Sequence, residues 1–346
     1  MQEHGADCSG CVGRVRPSAT LSAVSTIRRA LCVSVAVLAL SMALAAQPGV
    51  VVEPPTRVVD AYLGVRYREH RETVPRPLRL HVIEIDLRAP GIRLKVSPPA
   101  GGRETVRETT LEFVRREGAQ FGVNAHFFLP FPSDDAEAWV IGLAASEGTV
   151  YSAFETPEQS FALVPDAPAL GIDRRNRARI VHRAPGDAGG RRVRERGALW
   201  NVVAGSAQIV TDGAVSIPAY RSATRPDGVL LPGLAGRFDE GRSWYDVANA
   251  RTAIGLSRDR RRLILAVVER SPASEGLPVG EVGRRLIRDY GVWNALNLDG
   301  GGSSSMAWRD PATGVYGLLN TSSDTPAGRR VATSLAVFAR PRPAGH

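Results

Sequence analysis

Ala295-Leu296-Asn297-Leu298-Asp299-Gly300-Gly301-Gly302-Ser303-Ser304-Ser305-Met306 joins a short apolar run directly to three glycines and three serines. The run predicts a buried strand, with Asp299 at its carboxyl end. Glycine costs folding entropy, so three in succession need a reason, such as a tight turn that no Cβ crowds and a ligand can approach closely. Backbone N–H groups converging in such a turn hold anionic oxygens, and Ser303, Ser304 and Ser305 would add hydroxyl donors. A plain loop capped by Asp299 has the same composition, so the turn alone does not distinguish a site from a loop. The string is neither Gly-x-Ser-x-Gly nor a P-loop.

Upstream of the turn, Val279, Val282, Leu286 and Tyr290 fall on one side of a predicted helix, Val279–Tyr290. Before it, Leu263-Ile264-Leu265-Ala266-Val267-Val268 has the continuous apolar character of a strand buried on both faces. The charged turn Asp259-Arg260-Arg261-Arg262 links it to a further strand, Arg251-Thr252-Ala253-Ile254-Gly255-Leu256. A last strand covers 333–338. Nearer the amino end, Ile83, Ile85 and Leu87 alternate with Glu84 and Asp86. After Pro90-Gly91, Ile92, Leu94 and Val96 alternate with Arg93 and Lys95, which predicts a paired hairpin. Thr105 and Glu108 have capping-box spacing and predict a helix to Glu117, with Val106, Phe113 and Val114 on one face and Gly118 ending it. Phe121-Gly122-Val123-Asn124 begins another strand, and 130–241 reads as loop-rich. Strands outnumber helices, and the only strand–helix–strand unit lies near the carboxyl end. The expectation is a single α+β domain of mixed β-sheets with a few flanking helices. It would cover 80–340, after an extended lead-in over 47–79.

Of the 346 residues, 43% are hydrophobic and 23% charged, which is the composition of a globular protein. The net charge of +9 is concentrated in 172–198, where nine arginines face Asp173, Asp187 and Glu195. One basic loop reads as solvated surface, so no nucleic-acid partner is expected. Cys8, Cys11 and Cys32 all precede residue 47, which leaves the rest without disulfide, thiolate nucleophile or cysteine metal site. No cofactor is expected and no His/Asp/Glu spacing fits a metal motif, although Asp299 with loop carbonyls could hold calcium. Arg28-Arg29, an apolar run over 30–46 and Ala43-Leu44-Ala45 make a secretory signal. The run also meets the lower limit for a membrane span, so 1–46 is read as a signal peptide or an amino-terminal membrane anchor. Either places the protein outside the cytoplasm, as a periplasmic, extracellular or outward-facing anchored protein. Trp139, Trp200, Trp244, Trp293 and Trp308 are read as core more than as sugar platforms.

The run from Asn297 to Met306 resembles the signature of the phosphodiester glycosidase family, which includes exported bacterial proteins. Other elements follow in the family's order. Asn124-Ala125-His126-Phe127-Phe128 stands where the family has Asn-Gly-Gly-Phe/Tyr-Phe, and Arg251-Thr252-Ala253-Ile254-Gly255 matches its Arg-Thr-Ala-Ile-Gly. Asn320-Thr321-Ser322-Ser323-Asp324 is similar to Asn-x-Pro-Ser-Asp, with Arg329 near the arginine before the last strand. The likeness spans 80–339. It departs at His126, which replaces a glycine, and at Glu269-Arg270-Ser271-Pro272, where relatives carry Asp-Gly-Arg.

The resemblance implies cleavage of a sugar-1-phosphodiester in a glycan or sugar-phosphate substrate. The leaving phosphomonoester is anionic, so cations and N–H groups would assist it, and an oxocarbenium-like carbon needs a carboxylate. Asp299 is then the first candidate for catalysis and Glu269 the second. Asn124, His126, Arg251, Gly300, Gly301, Gly302, Ser303, Ser304, Asp324 and Arg329 are the expected substrate and phosphate contacts. Two rival readings are a non-catalytic accessory protein of polysaccharide binding or exopolysaccharide synthesis, and a hydrolase with a serine nucleophile. The latter would need His126 or His182 as base.

Overall fold

Ile83 and Ile85, like Leu94 and Val96, alternate with polar residues because each strand lays one face on a common core. In the computed structural model, residues 56–154, 164, 166–217 and 245–342 are described. The leader with its three cysteines and its secretory or anchor reading, and Trp244, lie outside the described residues.

The larger sheet has eight strands. Their spatial order is Arg57–Tyr62, Val65–Glu72, Leu78–Asp86, Arg262–Val268, Arg251–Ser257, Val292–Asn297, Ala207–Thr211 and Ala214–Val215. A five-stranded sheet packs on it, ordered Tyr316–Leu318, Met306–Arg309, Phe121–Asn124, Ser334–Phe338 and Arg93–Val96. Ile83, Ile85, Leu263, Leu265 and Val267 of the first meet Leu94, Val96, Phe121, Val123 and Leu335 of the second. Helix α1 (Thr110–Glu117) covers the outer face of the smaller sheet, setting Phe113 and Val114 against Ala307 and Ala336. Helix α2 (Val279–Tyr290) covers the outer face of the larger sheet, setting Val282 and Leu286 over Ile209, Ala253 and Ala295.

The result is helix, sheet, sheet, helix, and the α+β class read from the sequence holds. The unbroken apolar run 263–268 follows from this layering, since alternate residues face the two cores. A second five-stranded sheet, made of strands of three or four residues, occupies much of the middle of the chain. Among the described residues, no helix is long and apolar enough to cross a membrane.

Three local expectations change. The strands on either side of Pro90-Gly91 do not form a hairpin: Leu78–Asp86 pairs with Val65–Glu72 and Arg262–Val268, and Arg93–Val96 pairs with Ser334–Phe338. Leu87 and Ile92 are buried in the shared core, so the chain turns a corner between two sheets there. The capping box that closes is Thr109 with Glu112, not Thr105 with Glu108. Thr105 instead pairs with Ala138 in a short ladder, which leaves Val106 exposed. Arg57–Tyr62 and Val65–Glu72, within the stretch read as a lead-in, are the edge strand of the larger sheet and its neighbour.

The glycine turn forms at one end of the larger sheet. Arg251 lies opposite Val268 and Ala253 opposite Asn297, so Glu269, Ala250 and Leu298 leave the ladder at a common edge.

Candidate active site

From that edge the chain crosses toward the smaller sheet. Leu298 N–H donates to Thr252 carbonyl at 2.8 Å, and Asp299 N–H to Ala125 carbonyl at 3.0 Å. Asn124, fully buried at the end of its strand, clamps the turn from both sides. Its Nδ2 donates to the Asp299 carbonyl at 2.6 Å. Its Oδ1 accepts from Ser305 N–H at 3.1 Å and from the Thr252 hydroxyl at 2.7 Å. Asn124 therefore holds the shape of the turn from beneath.

Two of the glycines have specific reasons. Gly301 has φ 59°, in the left-handed region. A Cβ on Gly302 would lie 2.3 Å from Arg329 Nη2 and 2.6 Å from its Cζ. The missing side chain is what lets the guanidinium lie on the turn. The expected array of free N–H groups is mostly committed within the protein. Gly300 donates to Asp299 Oδ1 at 2.9 Å, Gly301 to Ala250 carbonyl at 2.9 Å, and Ser303 and Ser304 to Gly300 and Gly301 carbonyls. Positive charge at the turn thus comes chiefly from Arg329.

Burial pushes the Asp299 carboxyl up to about 7, against the opposing pull of the Ser303 hydroxyl, the Arg329 charge and Gly300 N–H. Arg329 Nε donates to Asp324 at 2.6 Å and Nη1 to Ser303 Oγ at 3.4 Å. Its guanidinium carbon lies 4.8 Å from the centre of the Phe131 ring, and Phe131 is 39% exposed. The hydroxyls of Ser304 and Ser305 are buried without a hydrogen-bond partner among the described residues.

Glu269, at the same sheet edge, has different surroundings. Its Oε1 accepts from His81 Nε2 at 2.9 Å and from Thr321 N–H at 2.8 Å. The Tyr67 hydroxyl lies 2.8 Å from His81 Nδ1, and all three side chains are buried. With Glu269 ionised, the network assigns the imidazole proton to Nε2 and makes Nδ1 the acceptor for Tyr67. Burial works to raise the Glu269 carboxyl, but His81, Thr321 N–H and the Arg79 charge outweigh it and hold it below the usual range.

Asp299, Gly300, Gly301, Gly302, Ser303, Asp324 and Arg329 thus come together, with Asn124 beneath and Ser304 buried beside them. His126 and Arg251 are turned elsewhere. His126 is sealed in the interior, its Nδ1 2.8 Å from Thr333 Oγ1 and its Nε2 accepting from Ala204 N–H at 2.9 Å. Burial lowers it to about 4, so it is neutral at pH 7. Arg251 is buried and donates through Nε to Leu277 carbonyl at 2.9 Å and through Nη2 to Val247 carbonyl. Burial brings it down to about 9. For the serine-nucleophile reading, no hydrogen bond joins His126 or His182 to Ser303, Ser304 or Ser305 among the described residues: His126 is engaged as described, and His182 is held by Glu195 and Arg194.

Sequence reasoning missed Phe131, Tyr67, His81 and Thr252. Phe131 stood out only as an aromatic between Pro130 and Pro132, and the others required strand register to be found. Of the described tryptophans, Trp308 is core, whereas Trp139 is 51% exposed, and Trp200 and Trp293 are half-buried under Arg174 and Arg258.

The ordered turn, clamp and arginine agree with a comparison against protein families, where the family model for phosphodiester glycosidases matches residues 117–338. The chain belongs to the phosphodiester glycosidase family. No curated protein matches its sequence. Among solved structures, a hypothetical protein from Synechocystis is similar at a TM-score of 0.56 and 15% identity, over 83% of this chain and 64% of the other. The catalytic domain of zebrafish N-acetylglucosamine-1-phosphodiester alpha-N-acetylglucosaminidase, auto-inhibited by its pro-peptide, is similar at 0.52 and 18% identity, over 84% and 85%. At these identities the likeness to the two structures is one of fold, and this phosphodiester glycosidase chain spans just under two thirds of the Synechocystis protein.

Proposed function

We propose that this chain is an exported glycosidase that hydrolyses a sugar-1-phosphodiester on a glycan or cell-envelope substrate. The observation that supports it most is a buried Asp299 carboxyl, raised to about 7, beside an Arg329 guanidinium laid over Gly302. Cleavage at the anomeric carbon expels a phosphomonoester, and Arg329 suits its oxygens because the guanidinium fork matches phosphate. Asp299 takes a proton from the attacking water, and a base poised near neutral pH is efficient at that task. Glu269 remains charged and supplies the negative potential that favours an oxocarbenium-like carbon. Phe131 offers a ring face to the sugar. The name of the zebrafish enzyme gives N-acetylglucosamine-1-phosphodiester as what it acts on, and the same chemical class is proposed here. The leader over 1–46 supports export.

Purified protein is expected to release free sugar and a phosphomonoester from glycan or glycerol phosphodiesters. Asp299→Asn should cut the rate by about a hundredfold or more. Saturable binding with no turnover across the panel would favour an accessory polysaccharide-binding role instead.

A further inference from the structure

The basic stretch 172–198 reads in sequence as solvated surface. Folding changes its surroundings. Arg175, Arg177, Arg179 and Arg196 line a cavity of about 440 Å³ with Arg88 and Arg260, which arrive from two other parts of the chain. Among the described residues of the lining Asp259 is the only acidic one, and it accepts from the Ser257 hydroxyl and Arg261 N–H. Arg177 is paired with Asp173 at 2.6 Å. Arg179 Nη2 donates to Gly197 carbonyl at 2.9 Å, while its Nε is buried with no partner among the described residues. Arg175, Arg196 and Arg260 are exposed and have no ion pair among the described residues. So many guanidinium groups around one cavity repel one another unless an anion joins them.

We propose that this cavity is a second binding site, for an acidic polysaccharide bearing carboxylate, sulfate or phosphate groups. The planar guanidinium fork fits each of these anions, and the cavity volume is that of a small-molecule site. No aromatic residue lines it, so the base-stacking platform that single-stranded nucleic acid requires is missing. Asp259 and Arg260 form the turn between Arg251–Ser257 and Arg262–Val268, at the opposite end of those strands from Ala250 and Glu269. Seven residues of strand separate the ends by roughly 20 Å. The two sites are therefore distinct, and the second does not depend on the reading of Asp299. An acidic chain held there is retained near the glycine turn by effective concentration.

The test is calorimetric titration of the full-length protein with polygalacturonate and dextran sulfate, with neutral dextran and an oligothymidylate as comparators. The expected result is saturable binding of the two acidic polysaccharides and none of dextran. Arg175→Glu with Arg196→Glu and Arg260→Glu should weaken it by about tenfold or more. A control of equal charge change on the two helices, Arg115→Glu with Arg116→Glu and Arg288→Glu, should stay within about twofold. Cleavage of a small sugar phosphodiester should be unchanged in both. If the reversed variant does not fold, Arg175→Gln with Arg196→Gln and Arg260→Asn should show the same loss at about threefold or more. The proposal is overturned by no binding of either acidic polysaccharide, by equal loss in the control, or by tighter binding of the oligothymidylate.

Discussion

Asp299 and Glu269 are the same kind of group at one sheet edge in opposite surroundings. Burial leaves Asp299 holding its proton up to about 7, whereas His81, Thr321 N–H and Arg79 keep Glu269 ionised below the usual range despite its burial. Environments that separate two carboxyls in this way separate their roles in catalysis. With Asp299 as the proposed base, kcat/KM should rise as pH increases through about 7, and Asp299→Asn should abolish that limb. The stability consequence has a defined sign. From the ordinary carboxylate range up to about 7 the folded state binds more protons than the unfolded one, so the stability from this group is complete below that range and is lost as pH rises through about 7. Denaturant melts of wild type and Asp299→Asn across pH 4 to 8 should therefore diverge, with the variant gaining on wild type as pH increases. A parallel melting series would reject the buried, proton-holding carboxyl. Gly302→Ala tests the contact with Arg329. The guanidinium tip is flexible, so the cost should fall on kcat/KM, by about tenfold or more, with little change in stability.

At the scale of elements, the clamp joins a strand of the smaller sheet to the end of a strand in the larger one. Asn124→Ala removes the acceptor for Ser305 N–H and the Thr252 hydroxyl, and the donor to the Asp299 carbonyl. Groups left unsatisfied in a buried site should cost about 2–4 kcal/mol in denaturant unfolding, and a value near zero would contradict the clamp. Glu269 ties the Thr321 loop to His81 by the same logic. Glu269→Gln keeps an acceptor oxygen and should unfold close to wild type, whereas Glu269→Ala should lose about 2 kcal/mol or more. The sequence was most readable at this scale where the pattern was long. Helix α2 has the predicted bounds, because four apolar positions share one face and Gly291 ends it in the left-handed region. Helix α1 began later than predicted because two Thr-x-x-Glu boxes follow one another directly, at Thr105 and at Thr109, and sheet pairing removes the first.

Across the whole molecule, alternation revealed which residues face a core but not which sheet each strand joins. That is why Leu78–Asp86 and Arg93–Val96 looked like a hairpin, although they face each other across the packed interior. The same limit applies to the site. Asp299 and Gly302 were legible because one turn motif holds both, whereas Arg329, 27 residues further on, was named only from its place in the family pattern. His126 and Arg251 matched positions in the family pattern, yet packing between elements decides where their side chains point. The His81–Glu269 pair and the arginine cavity exist only once distant segments meet.

The proposed reaction breaks the bond at the anomeric carbon of the sugar. Hydrolysis of a sugar-1-phosphodiester in heavy-oxygen water, followed by mass spectrometry of both products, tests it most directly. Attack at the anomeric carbon would put the heavy oxygen in the released sugar and none in the phosphomonoester, with the reaction lost in Asp299→Asn. Heavy oxygen in the phosphate, or undiminished turnover by Asp299→Asn, would contradict it.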